Sequence, residues 1–139
     1  MLAALQALKT EGIHAKLLAS HMGNLQASDG STLPIDGTIE GNPSITVDGV
    51  VVPNGNLDAL SLDGASRHYI LEAYKHLKPI AFGGDVRRFK KQLGLKDGDD
   101  EAGISKDATI SDKLMQAFLA SLREHRVWSR LGKAARMLA

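Results

Sequence analysis

The sequence contains no cysteine. That removes disulfides, thiolate-bound metals and a cysteine nucleophile in one step, and it fits a reducing cytoplasm. Aromatic residues make up only 4% of the chain, with a single tryptophan, Trp128. A nucleic-acid surface, which wants a large basic patch interleaved with aromatics, is not expected. The formal net charge of +1 adds no field that would draw phosphate or an acidic membrane surface. No apolar run nears the roughly 20 residues that a membrane-spanning helix needs. The Ala- and Leu-rich start, Met1 to Leu8, lacks a charged leader and continues as an amphipathic helix, so it is not read as a signal peptide.

What is there suits one soluble domain over residues 1–139. The chain is 43% hydrophobic and 24% charged, enough to build a single core. Its organising stretch is Val47-Asp48-Gly49-Val50-Val51-Val52-Pro53-Asn54-Gly55-Asn56. An unbroken β-branched run between turn residues predicts a central strand of a parallel sheet, buried on both faces. Pro53 ends it, and Asn54-Gly55-Asn56 leads out at the carboxyl end of the strand, where open α/β folds bind ligands.

The remaining elements follow from spacing. Leu2 to Glu11 reads as a helix with Leu2, Leu5 and Leu8 along one side and Gly12 as its C-cap. Ile13 to Ser20 reads as a strand, with Ile13, Ala15, Leu17 and Ala19 facing one way. Asp29-Gly30 predicts a hairpin between Leu25-Gln26-Ala27 and Thr32-Leu33. Pro34, Gly37, Gly41 and Pro43 predict irregular backbone after it, and Leu57 to Leu62 a loop or short turn. Asp63 caps a helix over about residues 64–77, whose buried stripe is Ile70, Ala73, Tyr74 and Leu77. Pro79 to Phe82 is a second buried strand. It leaves through Gly83-Gly84-Asp85, with Asp85 as N-cap of a helix to Leu93. A short strand near residues 103–105 precedes a helix capped by Ser111 and carrying Leu114, Met115, Phe118, Leu119 and Leu122. The tail from Arg126 is basic and partly helical, with Trp128 expected to pack beneath it. Its arginines are read as solvated, as complementing a helix C-terminus, or as touching a neighbouring subunit.

Strands alternating with helices give an α/β class: a doubly wound, mostly parallel sheet. Such a sheet starts with a strand at its centre, whereas this sequence starts with a helix. The sheet is therefore expected to lack its first strand, leaving two neighbours with unpaired backbone groups. Either the chain is a fragment or a strand comes from elsewhere, and self-association across the gap or a rearranged sheet would satisfy them.

Residue-level candidates are few. Backbone N–H groups at Asn54, Gly55, Gly83 and Gly84 offer a weak anion site if the two strand exits meet. A dinucleotide is excluded, because no G-x-G-x-x-G occurs and Asp85 repels phosphate. His14, His21, His68, His76 and His125 show no metal-ligand spacing, so no metal is expected. Asp63, Ser66 and His68 could be drawn as a triad, but at this spacing they read as an N-cap cluster.

Four strings then stand in order: Gly12-Ile13-His14-Ala15-Lys16-Leu17-Leu18, Val47 through Asn56, Glu72-Ala73-Tyr74-Lys75-His76-Leu77-Lys78-Pro79-Ile80-Ala81, and His125-Arg126-Val127-Trp128-Ser129-Arg130. Together they resemble the C-terminal domain of the large-subunit, haem-containing catalases, over nearly the whole chain. The resemblance implies a flavodoxin-like domain similar to the amidotransferase and Parkinsonism-protein/intracellular-protease superfamily. It implies a parent enzyme that is a cytoplasmic homotetramer and disproportionates hydrogen peroxide. Haem and the catalytic residues belong to that parent's core, so this chain carries neither a cofactor nor a catalytic residue. Its partners would be the catalase core and sister subunits, and its role stabilising or chaperone-like. In the wider superfamily a reactive cysteine sits at a strand-to-helix elbow. Here Phe82 takes that position, which disfavours a small hydrolase or glyoxalase.

Overall fold

The structure, a computed structural model, describes residues 2–53, 55, 57–95 and 101–136. In chain order the elements are α1 (Leu2–Thr10), β1 (Leu18–Ala19), β2 (Asn24–Gln26), β3 (Thr32–Pro34), β4 (Gly37–Thr38), β5 (Val50–Val52), α2 (Leu57–Leu62), α3 (Gly64–Lys75), β6 (Ile80–Gly83), α4 (Arg87–Gln92), β7 (Ile104–Asp107), α5 (Asp112–Arg123) and α6 (Leu131–Ala134). Short 3-10 turns stand at Ser44–Thr46 and Trp128–Arg130.

Strand β6 is the axis of the fold. Its four residues are all buried, and it pairs in parallel with β5 on one side and β7 on the other. Successive side chains of a strand point to opposite faces, and β6 divides accordingly. Ile80 and Phe82 enter a cluster with Leu57, Ile70, Tyr74 and Phe89 from α2, α3 and α4. Ala81 enters a second cluster with Ala4 and Leu8 of α1 and Leu114, Met115, Phe118 and Leu119 of α5. Helices thus cover both faces of a parallel sheet, the arrangement of an α/β domain and consistent with a flavodoxin-like fold.

The caps lie where composition places them. Asp63 accepts the Ser66 N–H at 2.8 Å, and the Ser111 hydroxyl accepts from Leu114 N at 3.1 Å. Gly12 closes α1 at φ 75°, with Ile13 N donating to Leu8 O. The hairpin β2–β3 turns through Asp29-Gly30, the Asp29 carboxylate accepting from Ser31 N.

Five expectations change. The valine run is an edge strand, with β6 rather than β5 at the centre, and Val50 and Val51 are only half-buried. The strand expected over 13–20 contracts to Leu18–Ala19, because Asp36 intercepts the backbone ahead of it: its carboxylate takes the Leu17 N–H at 2.7 Å. Gly37–Thr38 is not irregular but pairs in parallel with β1, held by Asn42 Nδ2 on the Thr38 carbonyl. Leu57–Leu62 is helical, because Leu57 is buried at its start and the Ser61 hydroxyl returns to Asp58 O. Finally, α4 starts at Arg87 rather than at Asp85, whose carboxylate accepts from Arg87 N in the turn just before it.

Candidate functional site

The sheet ends at Val52, Gly83 and Asp107. The exits of β5 and β6 do lie together: a Cβ on Gly84, at φ +140°, would reach the Leu57 side chain that opens α2. Of the anion-site candidates, Gly83 is buried inside β6 and the Gly84 N–H donates to Asp107 O at 2.8 Å. Gly55 is exposed before α2, and Asn54 lies outside the described residues. Phe82, which the sequence reading sets at the strand-to-helix elbow, is 1% exposed and packs its ring 5.5 Å from that of Phe89. Its side chain is core and presents nothing to solvent.

Two adjoining hollows flank β7, the first where β6 and β7 end and the second along the length of β7. One, of about 300 Å³, is lined by Gly84, Asp85, Val86, Arg87, Lys90, Lys106 and Asp107. The other shares Lys90, Lys106 and Asp107 and adds Glu101 and Lys113. Hydrogen bonds from Arg87 hold the Asp85 carboxyl below its usual range. The Ser111 hydroxyl does the same for Asp107, donating at 2.6 Å. Each of these two carboxylates is thus already engaged by its own neighbour and held in its ionised form. Neither hollow suits a haem, which needs an apolar slot and an axial His, Cys, Met or Tyr. The first is walled mostly by charged residues, the second mixes Ile104, Leu114 and Ala117 with charged side chains, and none of the residues lining either is His, Cys, Met or Tyr.

The histidines stay apart. Among the described residues no three His, Asp or Glu side chains gather as a metal site. His76 pairs with Glu72 at 3.6 Å along α3. His68 is exposed, while Asp63 accepts the Ser66 backbone N–H, so the capping pair is Asp63 and Ser66.

The most developed polar constellation lies at the other end of the sheet, and composition gave no sign of it. Four carbonyls where α3 ends are taken by the tail. Arg130 Nη1 donates to Tyr74 O at 3.1 Å and Nη2 to Lys78 O at 2.6 Å. Arg126 Nη1 donates to His76 O at 2.7 Å, and Val127 N to Leu77 O at 2.8 Å. The chain meets this arrangement with Leu77 at φ 64° and His125 at φ 70°. Arg130 is 1% exposed and stacks 4.5 Å above the Tyr74 ring. Burial pulls its pKa down to about 10. The Tyr74 hydroxyl, its own pKa raised by burial and by Glu101, donates to Glu101 Oε1 at 2.7 Å. Glu101 also holds Lys133 at 3.3 Å. Of the three roles expected for the tail arginines, Arg126 and Arg130 fill that of completing a helix C-terminus. Arg130 is not solvated, and Trp128, expected beneath the tail, is 64% exposed: the latch turns the intervening residue outward.

This latch joins two of the strings that carry the resemblance, Glu72 to Ala81 and His125 to Arg130. A family described as the C-terminal domain found in long catalases matches residues 1–132. Catalase HPII of Pseudomonas aeruginosa is 43% identical over 126 residues, 89% of this chain and 17% of that protein. Catalase-B of Dictyostelium discoideum is 40% identical over 135 residues, 95% of this chain and 19% of that protein. Catalase HPII of Pseudomonas putida is 36% identical over 128 residues, 91% of this chain and 17% of that protein. The chain spans less than a fifth of the length of these relatives. With the match running almost end to end, the chain belongs to the family of C-terminal domains of long catalases.

Proposed function

We propose that this chain is a non-catalytic accessory domain of a long catalase, stabilising an enzyme that converts hydrogen peroxide to water and oxygen. The observation that carries the reading is the elbow at Phe82. The position that would hold a reactive thiol is filled by a buried ring packed on Phe89, and covalent chemistry has no nucleophile there. The parent's haem and peroxide chemistry then reside in its core, and the partners of this domain are that core and the sister subunits of a cytoplasmic homotetramer. A second reading, a free-standing holdase, draws on exposed Met22, Ile45, Leu62, Trp128 and Leu131. Scattered single side chains of this kind are ordinary, and only Trp128 and Leu131 lie close in sequence.

The test exchanges this chain for the matching domain of the Pseudomonas aeruginosa enzyme and compares it with a form lacking the domain. The exchanged enzyme should keep its initial peroxide turnover per haem. The form lacking the domain should keep turnover as well but lose it several-fold faster on heating, a matter of kinetic stability. Equal heat inactivation of both forms would sink the accessory reading. Suppressed aggregation of a heated client by the isolated chain would favour the holdase.

A further inference from the structure

The hollow along β7 combines charge and hydrocarbon in a way the accessory-domain reading leaves unused. β7 is the edge strand of its sheet. Side chains alternate along a strand. Ile104 packs on the cluster that α3 and α4 cover, so Lys106 shares that face, while Ser105 and Asp107 turn towards α5. All four line the hollow, of about 320 Å³, together with Lys90 of α4 and Lys113, Leu114 and Ala117 of α5. The hollow therefore follows the open margin of the sheet, between the two helices. Its size lies at the lower end of ligand sites, about 300–1,000 Å³.

The charges around it are unbalanced. Lys90, only 3% exposed, reaches it from α4, Lys106 from β7 and Lys113 from α5. The two carboxylates in the lining are committed elsewhere. Glu101 accepts from the Tyr74 hydroxyl and pairs with Lys133. Asp107 accepts from the Ser111 hydroxyl and from Ala108 N. Among the described residues Lys106 and Lys113 make no hydrogen bond or ion pair, although the Lys113 charge is felt at Asp107. Three ammonium groups against two carboxylates leave a surplus of one positive charge.

We propose that this hollow binds a small organic carboxylate, its charged end held by Lys90, Lys106 and Lys113 and its hydrocarbon body lying on Ile104, Leu114 and Ala117. The ammonium groups donate charge-assisted hydrogen bonds to the carboxylate oxygens, and the body gains by leaving water. A surplus of one charge suits a monoanion. A polyphosphate would be repelled by Glu101 and Asp107, and inorganic phosphate would leave the apolar wall uncovered. The proposal goes beyond the accessory-domain reading and does not depend on it, because that reading uses none of these residues.

Sodium hexanoate added to the 139-residue chain and followed by amide NMR tests the site. The amides of Lys106, Lys113 and Leu114 should shift together and saturate, with a Kd of about 1 mM or tighter for so small a ligand. Hexanol, with a similar body and no charge, and inorganic phosphate, with charge and no body, should each bind about fivefold or more weakly. Lys106→Gln combined with Lys113→Gln should weaken hexanoate by about fivefold or more and leave hexanol unchanged. Both lysines are exposed, so the fold should stand, and an unaltered thermal melt checks it. Should the melt fall, about 0.5 M sodium chloride on the parent chain replaces the variant. Salt screens exposed charges and should weaken hexanoate similarly while sparing hexanol. The proposal is overturned if these amides do not shift and saturate, or if hexanol or phosphate binds as tightly as hexanoate. It is also overturned if neither charge removal nor salt weakens hexanoate.

Discussion

A guanidinium with 1% exposure needs partners for its donors and for its charge. Arg130 finds them at two carbonyls and the face of Tyr74, while its Nε has no hydrogen-bond partner among the described residues. Arg130→Met keeps much of the volume but leaves Tyr74 O and Lys78 O without those donors. Hydrogen bonds to a charged group contribute about 1.5–3 kcal/mol each. Loss of the pair should therefore lower unfolding stability by about 3 kcal/mol, read from the urea midpoint at constant slope. Arg130→Lys should fall between, because an ammonium has no planar fork to span both carbonyls. Equal stability of all three proteins would show that the latch contributes nothing. Gly103 belongs to the same site: at φ +74° it passes Val127 and Arg130 so closely that a Cβ would strike both side chains. The strings Tyr74 to Lys78 and Arg126 to Arg130 were visible in the sequence and carried the family resemblance, yet their mutual contact was not. Hydrogen bonds across some fifty residues, as from Arg130 to Lys78 and Tyr74, leave no local periodicity to read.

At the scale of elements, local signals were the legible ones. The caps Asp63 and Ser111, the stripe Ile70, Ala73 and Tyr74, and the Asp29-Gly30 turn depend on residues within a few positions of each other. The length of β1 and the edge position of β5 depend instead on Asp36 and on which strands meet, and neither is encoded nearby. The Asp63 cap can be tested through pH. Its carboxyl lies below the ordinary value of 3.8 because Ser66 bonds the ionised form. Below that value the unfolded chain takes up a proton that the folded chain still refuses, so stability falls as pH drops through the lowered folded pKa. Above 3.8 the contribution is complete. Asp63→Asn keeps a capping oxygen without the titration. Its stability should match the parent at pH 7 and decline less steeply below pH 4, by thermal melts across pH 2–5. An unchanged acid limb would mean that the cap is absent in solution.

On the scale of the whole molecule, the two apolar clusters lie on opposite faces of the thin sheet centred on β6, and the tail closes one end of it. Val127 N bonds Leu77 O, Ala134 is 2% exposed, and α6 lies against α3. The hairpin β2–β3, by contrast, contributes to neither cluster and keeps Leu25 and Leu33 half-exposed. Stability should therefore be divided unevenly, with the hairpin opening locally and the tail unfolding only with the core. Removing residues 126–139 tests this directly. The cut deletes buried Val127, Arg130 and Ala134 and uncovers Tyr74 and Leu77. Burial of each large apolar side chain contributes about 1.5–3 kcal/mol, whereas a domain of this size has a total of roughly 5–15 kcal/mol. Losses at Val127, Tyr74 and Leu77, added to that of the Arg130 bonds, are of the same size as the whole. The shortened chain should be largely unfolded by circular dichroism at 25 °C, while cleavage within the hairpin loop should leave the melting transition of the core in place. A cooperative, near-native melt of the shortened chain would show instead that α3 and the sheet stand without their latch.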